Sequence, residues 1–236
     1  MPPESTVFIT GATHGIGRAT ALAFGRAGYA VGVCARTGAN VDALVQELTV
    51  AGIRAAGAAA DVSQPEPVAL AVARVTESLG EIGVLVNNAG VLIARPFEEL
   101  SLEDWDATMA TNLRSLFVVT RAVLPAMRRR REGTVVNVAS LAGRNGFAGG
   151  TAYTASKHAV LGFARSLMLE VRKEGVRVIT ICPGSVDTGM LRDQPMLTSD
   201  PLRILRPEDV AEAILAAVRL PPRAMVSEID VRPTNP

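Results

Sequence analysis

The chain is poor in most features that would mark a specialised environment. Only two cysteines occur among 236 residues, Cys34 and Cys182, and each lies inside an apolar run that reads as a buried strand. This excludes a disulfide framework and argues against a zinc site, so the expectation is reduced core thiols, no metal and a reducing cytoplasm. Charge of one sign is missing too: 24 Lys and Arg stand against 23 Asp and Glu, mixed along the chain, for a net charge of +1. Nothing here offers an electrostatic footprint to nucleic acid or an anionic membrane, and small molecules are the expected partners. The arginine run at 128–131 is the local exception, placed where a long helix should end and where cations complement the helix dipole. No apolar run approaches the length of a membrane span, and residues 1–6 lead straight into a strand without a basic and apolar leader. Repeats, low-complexity tracts and linkers are absent as well. One domain over residues 1–236 is expected, its 48% apolar content sufficient for one sizeable core.

What is present is alternation. Short β-branched or apolar runs at 6–10, 30–35, 54–60, 84–87, 134–139, 176–182 and 225–231 are separated by amphipathic segments at 16–27, 41–51, 67–79, 102–130, 152–173 and 207–219. That is the sequence form of repeated strand–helix–strand units, and it predicts an α/β fold: a Rossmann-like, doubly wound parallel sheet of seven strands with helices on both faces. Punctuation agrees: Ser101 with Asp104 has the form of a capping box, Gly80 and Gly175 stand just past helix ends, and Pro207 opens the last helix. The longest irregular stretch, 184–206, leaves the end of the sixth strand, where ligands of open α/β sheets bind, and is a candidate substrate lid.

The first strand runs into Thr10-Gly11-Ala12-Thr13-His14-Gly15-Ile16-Gly17 and a helix follows at once. Glycines here let backbone amides and a helix N-terminus approach a pyrophosphate, although the spacing departs from Gly-x-Gly-x-x-Gly and glycine turns also serve packing alone. The second strand ends in Ala35-Arg36, where a dinucleotide-binding fold meets the adenosine ribose. An acid there would accept from a free 2′-hydroxyl, whereas Arg36 offers a charged fork to a 2′-phosphate and so favours NADP(H). His14 is either a second donor nearby or a plain surface histidine. Tyr153 and Lys157 lie four apart on one helix face, and with two tyrosines and two lysines in the chain the spacing arises by chance only about 2% of the time. An ammonium beside a phenol lowers the phenol pKa toward working pH and makes Tyr153 a proton donor or acceptor; the alternative is a tyrosine packed on a lysine stem.

With these residues in view, the chain resembles the short-chain dehydrogenase/reductase family, in the subgroup with a Thr-Gly-x-x-x-Gly-x-Gly turn. The resemblance extends over nearly the whole chain: the turn at Thr10 to Gly17, Asp61 and Val62, Asn87-Asn88-Ala89-Gly90, Asn112, Ser140, Tyr153-x-x-x-Lys157, and Pro183-Gly184 followed by Thr188. It implies that Asp61 and Val62 flank the adenine and that Asn88, Ala89 and Gly90 line the adenosine ribose. It also implies that Val186 and Thr188 contact the nicotinamide carboxamide and that Lys157 holds the nicotinamide ribose. Ser140 would bind the substrate oxygen beside Tyr153, and Asn112 would keep a water that relays protons to Lys157; a solvent-facing Asn112 is the alternative. Many relatives end in a glycine-rich segment, whereas this chain closes with Ser227-Glu228-Ile229-Asp230-Val231-Arg232-Pro233, a form some reductases of the family resemble.

The expected function is therefore NADP(H)-dependent interconversion of a ketone, aldehyde or β-ketoacyl thioester and its alcohol. An NAD-dependent sugar or polyol dehydrogenase is the competing enzyme, and a dinucleotide sensor without turnover the competing class. In the lid, Met190, Leu191, Met196, Leu197, Leu202, Ile204 and Leu205 suit an apolar substrate or simply anchor the lid; Arg192, Arg203 and Arg206 either meet an anionic group or stay solvated. A homodimer or homotetramer is expected from the resemblance, and the apolar residues Val160, Leu161, Phe163, Leu167, Met168 and Leu169 exceed what one core-facing stripe needs.

Overall fold

The computed structural model describes residues 5–194, 196, 200 and 202–234. Its strands are β1 (Thr6–Thr10), β2 (Ala30–Ala35), β3 (Ala55–Ala59), β4 (Ile82–Asn87), β5 (Gly133–Val138), β6 (Val176–Pro183) and β7 (Glu228–Val231). All pair in parallel in the order β3-β2-β1-β4-β5-β6-β7. The order reverses between β1 and β4, so the chain leaves these two strands in opposite directions and a crevice opens beyond their carboxyl ends.

The central strands are largely apolar because both faces are covered, whereas β7 at the edge, Glu-Ile-Asp-Val, is only partly buried. Alternate residues divide between two layers. Val7, Ile9, Val31, Val33, Val84 and Val86 meet α1 (Gly15–Arg26), α2 (Gly38–Val50) and α8 (Pro207–Val218) through Phe24, Leu48 and Ile214. Phe8, Cys34, Leu85, Val135 and Val178 meet α3 (Pro65–Leu79), α5 (Ser115–Arg130) and α6 (Thr151–Val171) through Val75, Val123, Met127 and Leu167. Both cysteines are buried and unbridged, and desolvation pushes the Cys34 thiol up to about 12, which makes it inert.

The helix expected over 102–130 runs unbroken but carries a π turn. After α4 (Leu102–Met109) comes a π turn, Ala110–Arg114, before α5 resumes. The turn puts Asn112 against the chain that follows β4: its Oδ1 accepts from Val91 N–H at 2.8 Å, and its Nδ2 donates to the Val91 carbonyl at 2.9 Å and to Ser156 Oγ at 3.0 Å. The arginine run closes α5 as charge at a helix end should. Arg128 grips Glu174, Arg130 pairs with Glu81, and Arg131 turns into the left-handed region at φ 56°. Other endings follow their residues: Ser101 Oγ accepts from Asp104 N–H, and Gly80 and Gly175 take φ of 89° and 77° past α3 and α6.

The lid region contains a short helix, α7 (Gly189–Arg192), and is pinched at its base where Asp187 N–H donates to the Leu205 carbonyl and Leu205 N–H to the Ser185 carbonyl. Leu205 is thus core, Leu202 is 92% exposed, and Leu197 lies outside the described residues. The apolar surplus on α6 is smaller than its sequence suggests: Val160, Leu161 and Leu167 are buried in the protein's own core, and Leu169 alone of the six is largely exposed. No helix among the described residues is long and apolar enough to cross a membrane.

Candidate active site

The crevice is a cleft of about 1900 Å³. Sites for single small ligands run to roughly 1,000 Å³, so this one has room for a dinucleotide and a second molecule together.

One end is built from the glycine turn. Gly11 takes φ 61°, and a Cβ there would stand 2.8 Å from Ala89 Cα, so only glycine allows the turn and the neighbouring 88–90 segment to touch. Thr10 stitches them: its Oγ1 accepts from the N–H of Asn88 and of Ala89, both at 3.1 Å, while Asn88 Nδ2 donates to the carbonyls of Thr10 and Gly11. Thr13, His14, Gly15 and Ile16 face the cleft at the start of α1, whose first turn carries no acid, so its positive end is open to an anion. Gly17 is different. It is buried, and a Cβ would meet the Gly11 carbonyl oxygen at 2.2 Å, so it serves helix packing rather than the cleft surface. His14 Nδ1 lies 3.0 Å from Thr13 Oγ1. Across the cleft Thr188 reaches Gly15, where a Cβ would stand 3.0 Å from Thr188 Cγ2, and Pro183, Gly184 and Val186 complete that wall.

Arg36 lies at the outer end, exposed, facing the cleft, and without an ion pair among the described residues. Thr37 and Asn40 beside it also line the cleft and were missed in the sequence, where nothing separates them from ordinary helix-start residues. Asp61 and Val62 follow β3 at the same end; Asp61 Oδ1 accepts from both the N–H and the Oγ of Ser63, which fixes the turn.

Ser140, Tyr153 and Lys157 come together at the other end. The Lys157 ammonium is buried, donates to the Val138 carbonyl at 2.9 Å and lies 5.6 Å from the centre of the Tyr153 ring. Burial lowers its pKa to about 8. Tyr153 runs against expectation: desolvation raises the phenol, and hydrogen bonding with Ser140 reverses only part of this. Burial is the larger influence on the phenol, while Lys157, lying over the ring, gives one of its three donors to the Val138 carbonyl and keeps the others for a ligand. Ser140 Oγ accepts from Ala142 N–H at 3.1 Å and donates to the Pro183 carbonyl only at 3.5 Å, so its proton is weakly held and can turn toward a carbonyl oxygen. Asn112 does not face the cleft at all. It stands behind Gly90, where a Cβ would lie 3.3 Å from Asn112 Oδ1 and 3.7 Å from Lys157 Nζ. Both of its amide donors go to Val91 and Ser156, and one lone pair of its Oδ1 is left beyond the Val91 N–H. No cluster of metal-ligating residues occurs among the described residues.

Comparison with known proteins agrees with this geometry. The profile of the family described as short chain dehydrogenase matches residues 5–196. The 3-oxoacyl-(acyl-carrier-protein) reductase FabG of Pseudomonas aeruginosa is 34% identical, the similarity covering 87% of this chain and 86% of that protein. Among solved structures, an actinorhodin polyketide ketoreductase variant with NADPH superposes with a TM-score of 0.91 at 33% identity, over 98% of this chain and 97% of that one. An alcohol dehydrogenase of the archaeon Thermococcus sibiricus, complexed with 5-hydroxy-NADP, gives 0.90 at 30% identity over 98% and 97%. A glycine turn at a sheet switch point, a buried lysine under a tyrosine and a family match across most of the chain lead to one conclusion: the protein belongs to the short-chain dehydrogenase family.

Proposed function

We propose that the protein uses NADPH to reduce the carbonyl of an apolar ketone or β-ketoacyl thioester. The observation that carries this reading is the Tyr153 phenol, held above its ordinary pKa by burial in a cleft whose far end presents Arg36, exposed and without an ion pair among the described residues. The cofactor fits the residues present. The open N-terminus of α1 and Gly11 suit a pyrophosphate, Arg36 a 2′-phosphate, Asp61 and Val62 the adenine edge, Asn88 to Gly90 the adenosine ribose, and Val186 and Thr188 the carboxamide. Bound there, NADPH supplies the hydride. The protein's own residues do the rest. Ser140 donates to the substrate oxygen and fixes its direction, Tyr153 gives that oxygen its proton, and Lys157 holds the nicotinamide ribose. Asn112 holds the π turn against Val91 behind them. Residues 184–206 serve as the lid, with Met190, Leu191, Met196 and Ile204 on the cleft side. The ketoreductase and reductase names of the relatives support the same substrate class.

The test is turnover by purified protein with NADPH or NADH across ketones of increasing chain length, β-ketoacyl thioesters and free ketoses, followed by cofactor absorbance. Activity that favours NADPH and rises with apolar length is expected. A preference for NADH and ketoses would transfer the assignment to a polyol dehydrogenase, and saturable NADPH binding without any turnover to a sensor. Arg36→Ala should weaken NADPH by about 10- to 100-fold, the loss of one charge-assisted phosphate contact, while leaving NADH nearly unaffected.

A homodimer or homotetramer is part of the proposal. Phe117 on α5 and Leu169 on α6 are 50% and 59% exposed, a cost that a partner's helices would remove. Light scattering at micromolar protein should give a multiple of the 24.7 kDa chain.

A further inference from the structure

Between Ser140 and Tyr153 the chain makes a turn that none of the motifs explains. Phe147, half-buried, lies on Gly150: a Cβ on that glycine would stand 2.3 Å from the ring's Cζ and within 2.6 Å of both Cε atoms. The ring is set edge-on to Tyr153, with centroids 6.3 Å apart and planes at 64°, and it lines the cleft. Next to Gly150, Gly149 lies against Met196, where a Cβ would stand 3.1 Å from Met196 Cε, and its carbonyl accepts from Arg95 N–H at 2.9 Å. A large rigid side chain thus stands on the cleft wall beside the proton donor, in a seat that only the absence of a side chain at 150 provides. Gly150 itself needs no unusual backbone, with φ −98° and ψ 21° at the N-cap of α6, so what it contributes is space for the ring.

We propose that Phe147, seated on Gly150 beside Tyr153, is the wall that limits the smaller substituent of the carbonyl substrate and thereby decides which face of the carbonyl meets the hydride. The proposal rests on the reading of Tyr153 as proton donor. The oxygen is fixed by Tyr153 and Ser140, so a ketone can exchange its two substituents only by placing the larger one where the ring stands. Misfit of one or a few methylenes against such a wall is worth about 10- to 200-fold in selectivity. The ring is held by packing alone, which leaves its position sensitive to residue 150.

The experiment compares kcat/KM for acetophenone and butyrophenone, whose variable alkyl arm is the smaller group, and resolves the alcohol enantiomers by chiral chromatography. The parent protein should favour acetophenone and form one enantiomer in excess. Phe147→Ala should lower the acetophenone preference by about tenfold and erode the enantiomeric excess, with Phe147→Leu in between. Gly150→Ala keeps the ring but removes its seat, and should also shift the ratio away from the parent's, which keeps the proposal open to refutation if Phe147→Ala fails to fold. Parent-like ratios and enantiomers in Phe147→Ala, or in Gly150→Ala, overturn the proposal and leave the assigned reaction standing. A parent protein that reduces no ketone with NADPH overturns both.

Discussion

Replacing Tyr153 with phenylalanine is expected to lower carbonyl turnover by about 10²-fold or more while NADPH still binds. The substitution removes a single oxygen and keeps the ring, so the edge contact with Phe147 and the surface over Lys157 survive. What disappears is the proton. Burial raises the phenol further above its ordinary value, so the group is a protonated donor throughout the neutral range. The alkaline limit then belongs to Lys157. Its pKa in the folded protein is about 8, below the ordinary 10.5, so activity that needs the ammonium should fall as pH rises through about 8. Stability moves the other way. The folded state holds fewer protons than the unfolded one between about 8 and 10.5, so the cost of burying the charged lysine is felt in full below about 8 and declines as pH rises toward 10.5. A pH profile of turnover beside a pH series of thermal melts checks both signs, and full turnover in Tyr153→Phe would refute the role.

The second large effect lies at the opposite end of the sheet. Arg177, on β6, is 9% exposed and has no carboxylate partner among the described residues; it donates twice to Thr134 Oγ1, at 3.0 and 3.2 Å, and to the carbonyls of Val218 at 2.8 Å, Leu220 at 3.0 Å and Ala224 at 3.4 Å. Val218 ends α8, so this guanidinium satisfies carbonyls that a helix C-terminus leaves unpaired and binds the following loop to the sheet. Burial lowers its pKa, yet five donors in a planar fork match this set as no other side chain does. Arg177→Met strands at least two buried carbonyls at about 1–3 kcal/mol each. Even after relief from burying a charge, a net loss of about 3 kcal/mol is expected, or roughly 6–12 °C in Tm for a chain of this size. Calorimetry decides it: a Tm within about 2 °C of the parent would mean that water replaces the guanidinium. Activity at low temperature should persist, since the residue is remote from the cleft.

Sequence carried the strand order of chemistry well because its signals are local. A glycine turn after a strand, an arginine where an acid is otherwise found and a tyrosine four before a lysine each report on a few neighbouring residues, and the parallel sheet then brings them together. The failures concern partners far apart in the chain. The π turn at Ala110–Arg114 is stabilised by Asn112 reaching Val91 and Ser156, 21 and 44 residues away, so helical periodicity across 102–130 gave no warning. The raised Tyr153 pKa comes from burial that the folded cleft creates, which spacing does not reveal. Leu202 and Leu205 read alike, yet one is solvent-facing and the other core. Phe147 had no sequence mark at all, because its position depends on the absence of a side chain at Gly150.

The strand order β3-β2-β1-β4-β5-β6-β7 also sets a timetable for synthesis. The nucleotide end, from the glycine turn through Arg36 and Val62, emerges first and pairs locally, whereas Tyr153, Lys157 and Thr188 come later. In the interval β4 covers one side of β1 but its own far edge, the buried run Val84, Leu85 and Val86, waits for β5, whose first residue, Gly133, comes 46 positions after Asn87. At about 5–20 residues per second that edge stays open for roughly 2–9 s. During those seconds the glycine turn and Arg36 are already made while the tyrosine and lysine are not, and the open strand edge is what the chain most needs to cover.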